Sequence, residues 1–313
     1  MINVEKNIKL SDHSTFKIGG PAKEFAVVEN ENELVETLNY AKENNLKFFI
    51  LGGGSNVLFD DKGFDGIIIK ISAQGGPASG WQNTSLEIWA GDSLSSLVGA
   101  AKDNSLSGME WASGIPGTIG GAVQGNCGAF GGEMAEVIET VKVYDISQQK
   151  IVNYKSEDCN FSYRSSIFKQ NSNLIIVSVK IKLEKCKKEK IEEKTKEILN
   201  KRLEKQPKGW IGSVGSFFKN PVIESEDLRK KYENETKNKI VEKKIPAGWL
   251  IDEVGFKGKK VGNVAVSDKN ANFILNLGGG KAEEIMMLAS IIKSKVRNQF
   301  GVQLEEEIKY VAY

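Results

Sequence analysis

Two crowded glycine loops in the first half of this chain restrict its fold more than any other feature. The first, Gly52-Gly53-Gly54-Ser55-Asn56, breaks the short apolar run Lys47 to Leu51. The second runs from Ser113 to Ala129 and holds five glycines and one proline between Gly114 and Gly125. Glycine lacks Cβ and reaches φ > 0, so such loops follow defined paths on which backbone N–H groups can approach a ligand. The first loop is not a Walker loop, because no Gly-Lys-Ser/Thr follows, and it is not G-x-G-x-x-G. Its N–H groups, with Ser55 and Asn56, suit a phosphate, although a plain tight turn explains it equally well when taken alone. Two such loops together suit a dinucleotide, which needs a cradle for its pyrophosphate and a slot for its ring. On this reading the cofactor-binding candidates are Gly52, Gly53, Gly54, Ser55, Asn56, Ser113, Gly114, Ile115, Pro116, Gly117, Gly120, Gly121, Asn126, Gly128 and Ala129.

At 313 residues, two or three domains are expected. Hydrophobic content of 40% with 27% charged residues reads as soluble and globular. A net charge of +2 offers no bulk attraction for nucleic acid or a membrane. The start, Met1-Ile2-Asn3-Val4-Glu5-Lys6, does not read as a signal peptide, and no apolar run approaches the length of a membrane span. Cys127, Cys159 and Cys186 are odd in number and widely spaced, which suits free thiols in a reducing, cytoplasmic compartment. The only histidine is His13, so a Ser-His triad and a His-rich metal site are not expected. No metal is expected.

Periodicity predicts helices over Glu31–Asn44, capped by Asn30 with Glu33 three residues on, over Leu94–Asn104, and over Ala282–Gln299 with Ile285, Met286, Ala289, Ile292 and Val296 inward. Strands are expected at Lys47–Leu51, Gly66–Ile71 and Leu86–Trp89. The clearest is Leu174–Leu183, where Ile175, Val177, Val179 and Ile181 alternate with Ser178, Lys180 and Lys182. Cys186–Lys205 is highly charged and reads as a solvated helix joining two domains.

Three further segments carry polar chemistry. Phe161 to Phe168 sets Tyr163 and Arg164 among hydroxyls, and the guanidinium fork matches a carboxylate or phosphate. Gly212 to Pro221 offers Ser216, Lys219 and Asn220 within five residues. Leu304-Glu305-Glu306-Glu307-Ile308 is acidic. Each has a bland alternative: a surface arginine, a strand edge with a turn, and a solvated acidic face.

Read in order, these segments resemble the UDP-N-acetylenolpyruvoylglucosamine reductase family in its shorter form. The resemblance runs from about Ser14 to Val311. It rests on Thr15-Phe16-Lys17-Ile18-Gly19-Gly20, Gly52 to Asn56, Ile115 to Ala129, Tyr163-Arg164-x-Ser166-x-Phe168, Gly215 to Pro221, Ala265 to Asn276, and Leu304-Glu305-x-Glu307. It departs at Asn270, where the short form commonly carries His, and slightly at Gly212 to Ser216. From Gly209 to Ser216 there is no room for the substrate-covering insertions of the longer form.

The resemblance implies an α+β fold: a PCMH-type FAD-binding module of two α+β subdomains, residues 1–72 and 73–205, and a C-terminal α+β substrate-binding domain, residues 206–313, whose last strand returns to the first subdomain. It implies noncovalent FAD, NADPH as hydride donor, and reduction of the enolpyruvyl group of a UDP-sugar in peptidoglycan precursor synthesis. The expected partner is that small sugar nucleotide, with no nucleic acid, membrane or obligate protein partner. By resemblance Arg164 serves the substrate carboxylate with Glu307 beside it, Ser216 gives a proton to C2, and Tyr163, Lys219, Asn220 and Asn270 bind substrate. Two rivals stand beside it: another PCMH-type oxidase or dehydrogenase, and a sugar-nucleotide-binding regulator without catalysis.

Overall fold

A computed structural model describes residues 2–73, 80–207 and 212–313. The expected mixture of helices and sheets is present. Residues 209–211, part of the stretch read as too short for insertions, lie outside the described residues. The chain forms two compact units, each assembled from separated stretches. The first comprises residues 1–8, 22–54 and 65–204, and the second 9–21, 55–64 and 205–313.

The first unit holds two four-stranded sheets. One has the spatial order Val4–Lys9, Pro21–Val28, Phe64–Ile71, Phe48–Leu51. Its last two strands run parallel, with Phe48 opposite Ile67. Helix Glu31–Glu43 belongs to the same unit and starts as the sequence indicates. The Asn30 side chain accepts from Glu33 N at 3.0 Å, and Glu33 accepts in return from Glu29 N at 2.8 Å. The second sheet has the order Lys150–Lys155, Ile138–Asp145, Leu174–Lys182, Ser85–Trp89. An ion pair of 2.7 Å between Lys142 and Glu31 joins this sheet to that helix. One core of aliphatic side chains, from Ala26 to Leu183, fills the unit.

The strand Leu174–Lys182 departs from simple alternation. Residues 174–179 are all buried, and only Lys180 and Lys182 face water. It is a central strand, covered on both faces over its first part. Buried Ser178 is accommodated because its Oγ donates to Glu87 Oε1 at 2.7 Å on the neighbouring strand.

The second unit is built on helix Ala282–Phe300 and the antiparallel strands Lys260–Val261, Val264–Val266 and Ile274–Asn276. The helix turns Ile285, Leu288, Ala289, Ile292 and Val296 inward. Met286, expected in that stripe, is 37% exposed. It lies about 100° around the helix from Ile285, and Leu288 fills the buried face instead. Asp61 holds the start of the helix by accepting from Ala282 N at 3.0 Å. Strand Lys309–Val311 pairs in parallel with Val57–Phe59, the middle of the connection that separates the two parallel strands of the first unit.

Residues 15–20 lie within this second unit, held by a fully buried amide. Asn276 is 1% exposed and donates from Nδ2 to Phe16 O at 3.0 Å. Its Oδ1 accepts from Gly278 N at 2.9 Å and Gly280 N at 3.0 Å. An ideal Cβ on Gly212 would fall 2.0 Å from Phe16 O, so the two backbones touch with no side chain between them. Asn276→Ala strands several buried polar groups, each costing about 1–3 kcal/mol. It is expected to lower the urea midpoint of the second unit by an amount equivalent to at least about 2 kcal/mol. An unchanged midpoint would show that these groups find other partners.

Candidate active site

In the first unit the two glycine loops press against each other. A Cβ on Gly52 would lie 2.4 Å from Thr118 Oγ1, and one on Gly53 would lie 2.8 Å from Gly117 Cα. These contacts are closer than side chains tolerate, so the glycines are required by the approach of one loop to the other. The second loop is fixed to the strand before it: Ile119 N donates to Asp92 O at 2.8 Å and Gly120 N to Ala90 O at 2.8 Å. Gly54, Gly114 and Gly117 have φ of 65°, 76° and 129°, where a side chain would be strained. Gly121 and Gly131 are different. A Cβ on Gly121 would meet only Thr118 Oγ1 at 3.5 Å, and one on Gly131 nothing within 4 Å. Gly131 is explained by its φ of 87°, whereas at Gly121 neither backbone conformation nor packing among the described residues calls for glycine, which leaves room beside it for a ligand. Ser55 and Asn56, read with the first loop, fall in the second unit.

The Tyr163-Arg164 turn is tied to the second loop. Asn126, 0% exposed, donates from Nδ2 to Ser162 O at 3.1 Å and accepts from Ala135 N at 3.0 Å. Both ends of its amide therefore join protein segments, and its contribution here is to position the turn. Ser166 Oγ adds a bond to Gln124 O at 2.7 Å. Arg164 sits at φ 57°, donates from Nη2 to Gly128 O at 2.8 Å, and holds its guanidinium carbon 5.3 Å from the centre of the Tyr163 ring. A left-handed arginine held by three neighbouring bonds is a placed side chain, not a loose surface one.

The charged stretch before Pro207 forms the mostly exposed helix that the sequence indicates. Helix Lys188–Lys205 buries Ile191 and Ile198 and leaves Leu203 outside. Near its end it also contacts the start of the second glycine loop at Ser113 and Gly114. Lys194 Nζ is 3.7 Å from Glu110 Oε2, and Arg202 Nε donates to Ser113 O at 3.0 Å. Glu110, at 3% exposure, was not singled out in the sequence. Burial alone would raise its pKa, but bonds from Ser107 Oγ and the backbone, with the Lys194 ammonium, hold its carboxyl below the usual carboxylate range.

In the second unit two extended segments run antiparallel. Glu307 N donates to Phe217 O at 2.8 Å and Lys219 N to Glu305 O at 2.9 Å. On the other side, Ser216 bridges Phe273, and buried Asn272 clamps Phe218 through both of its backbone groups. Ser216 is exposed and Glu307 is half-buried. Asn56 Nδ2 donates to Glu307 O at 3.2 Å, so this residue of the first glycine motif positions the acidic segment. Lys219 Nζ meets Glu305 Oε2 at 3.2 Å. Asn220 Oδ1 accepts from Ala247 N at 3.0 Å, and Asn270 Oδ1 from Asn272 N at 3.1 Å. Both amides thus present an oxygen to the backbone.

The bare glycines and the tightly turning loops are those of a dinucleotide-binding protein, and residues 22–154 match the FAD binding domain. Residues 206–311 match the C-terminal domain of UDP-N-acetylenolpyruvoylglucosamine reductase. The chain is 36% identical over 305 residues to the UDP-N-acetylenolpyruvoylglucosamine reductase of Caldanaerobacter subterraneus, covering 97% of this chain and 92% of that one. It is also 36% identical to the reductase of Chlamydia abortus, covering 99% and 95%. The crystal structure of UDP-N-acetylenolpyruvylglucosamine reductase from Thermus caldophilus superimposes with a TM-score of 0.77 at 31% identity, covering 99% of each chain. The chain is an FAD-binding oxidoreductase. It belongs to the UDP-N-acetylenolpyruvoylglucosamine reductase family.

Two outcomes are expected here. Gly53→Val forces the loops apart, so the variant should purify with little flavin, read as flavin absorbance per chain, while circular dichroism reports a folded protein. Full flavin content would remove this contact from the cofactor site. Glu110, with its folded pKa depressed, stabilises the fold above its unfolded pKa of about 4.3, and that contribution is lost as pH falls through the lower folded value. Glu110→Gln should therefore be less stable than the native chain at pH 7, and the gap in urea midpoint should close below about pH 4. A gap independent of pH would show that the carboxylate charge is not what stabilises this site.

Proposed function

We infer that this chain reduces the enolpyruvyl group of UDP-N-acetylglucosamine enolpyruvate to give UDP-N-acetylmuramate, with NADPH as the reductant, in peptidoglycan precursor synthesis and hence in cell-wall biogenesis, cell shape and division. The observation that carries this reading is the arrangement of Ser216–Lys219 beside Glu305–Glu307, which brings a hydroxyl, an ammonium and carboxylates onto adjacent hydrogen-bonded segments. The identity to reductases over nearly the whole chain supports it. The substrate is a small sugar nucleotide, and residues 206–313 are assigned to it. The activity is placed in the cytoplasm, in keeping with three cysteines that are free thiols.

Bound FAD supplies relay of a hydride from NADPH to C3 of the enolpyruvyl group. As C3 gains hydride, negative charge builds at C2 and in the adjoining carboxylate of the substrate. Arg164 is assigned to that carboxylate, for its guanidinium is already oriented by Gly128 and Tyr163. Glu307 is assigned to the same developing charge, as a hydrogen-bond donor when protonated. Ser216 delivers the proton to C2; the chain's lone histidine, His13, belongs to none of these segments. Lys219 and Asn220 bind the diphosphate. An anionic ligand would compete with Glu305 for the Lys219 ammonium. Tyr163 and Asn270 complete the substrate contacts.

Ser216→Ala tests the proton donor. Reduction of the flavin by NADPH should proceed at nearly the native rate, since no proton at C2 is involved. Reoxidation by the enolpyruvyl substrate should slow by roughly 10² or more. Stopped-flow absorbance separates the two half-reactions. Equal slowing of both, or of neither, would assign Ser216 a structural part and move the acid to Glu307.

A further inference from the structure

Arg202 has a desolvated guanidinium that the described residues answer only in part. It leaves helix Lys188–Lys205 to lie on the second glycine loop, with Nε bonded to Ser113 O at 3.0 Å and its guanidinium carbon 5.4 Å from the centre of the Phe130 ring. A Cβ on Gly114 would fall 3.0 Å from its Cδ, so the arginine packs closely on this glycine, whose φ of 76° already favours the bare residue. Its Nη2 is buried and has no hydrogen-bond partner among the described residues. The same is true of Ser113 Oγ, on a residue 3% exposed that also accepts the Arg202 bond through its carbonyl. Burial pulls the Arg202 pKa down. A guanidinium stays protonated under these conditions and requires an anion or a set of carbonyl oxygens to offset its desolvation. Two unsatisfied buried donors, Ser113 Oγ on the loop and Arg202 Nη2 on the helix bonded to it, mark a place where a ligand oxygen belongs.

We propose that Arg202 and Ser113 bind FAD directly, with Arg202 Nη2 and Ser113 Oγ holding a negatively charged oxygen of the cofactor, so that the charged helix is part of the flavin site. The proposal rests on the FAD-binding assignment of the first unit and extends it, since the FAD-domain match ends at residue 154 and Arg202 lies beyond it. Two groups of FAD offer this chemistry: a pyrophosphate oxygen, and the O2 edge of the ring, which becomes more negative on reduction.

The test uses holoprotein stripped of FAD by high bromide, then titrated with FAD by flavin fluorescence, with Arg202→Met, Arg202→Lys and Ser113→Ala alongside the native chain. Loss of one charge-assisted hydrogen bond predicts a rise in Kd of roughly 10- to 100-fold for Arg202→Met. Arg202→Lys should recover part of that loss. The thermal midpoint of the stripped Arg202→Met protein should equal or exceed the native value, because the variant removes an uncompensated buried charge; an arginine that only packs would lower it. If the partner is pyrophosphate, oxidised and reduced FAD lose affinity equally and the flavin midpoint potential holds. If it is the ring, the potential falls while affinity for oxidised FAD changes little. Native Kd and native potential together in Arg202→Met would overturn the proposal. Should Arg202→Met not fold, Ser113→Ala decides on the same two readings. A native chain that binds no FAD would overturn the cofactor assignment itself, a result distinct from either.

Discussion

No side chain fits between Gly53 and Gly117, and much of the first unit follows from that contact. A methyl group on Gly53 would have to displace the Gly117 backbone rather than a pliable side chain. The first loop can approach so closely only because strands Phe48–Leu51 and Phe64–Ile71 hold its ends. The second does so because its backbone bonds to Ala90 and Asp92. From the second loop the constraint passes outward: Asn126, Gly128 and Gln124 fix the turn that carries Arg164, and Ser113 and Gly114 admit Arg202.

The second unit uses a different device. Its reactive candidates stand on short extended segments, and asparagine side chains, two of them buried, hold those segments in place. Asn272 clamps Phe218, Asn276 clamps Phe16, and Asn220 caps helix Ala247–Glu253. An amide offers both donor and acceptor without a charge to desolvate, which suits it to the inside of an irregular loop. Ser216 can therefore remain exposed and Glu307 half-buried while hydrogen bonds hold the segments that carry them.

Such a division explains why some parts of the site were legible before the structure and others were not. Asn30 and Glu33 announce a helix start because a cap depends on neighbours in sequence. Glycine clusters announce close approach, yet not what is approached. Gly52 and Gly53 face another loop, while Gly121 and Gly131 face open space, and the letters are the same. Arg202 was hidden in a run of alternating Lys and Glu whose pattern reads as solvated. Its only signal was a guanidinium among ammonium groups, which local sequence cannot interpret.

The sequence by itself determined the α+β class, the helix caps, the two loops and the family to which Arg164, Ser216 and Glu307 belong. These depend on local periodicity, on glycine's missing Cβ and on the order of motifs along the chain. Only the tertiary structure decided that Leu288 rather than Met286 is buried, that Asn126 and Asn56 serve to position other segments, and that residues 9–21 and 55–64 pack with the C-terminal part of the chain. Those outcomes depend on contacts between residues as far apart as Phe16 and Asn276, where the cost of an unbonded buried group selects one arrangement among many that local pattern allows.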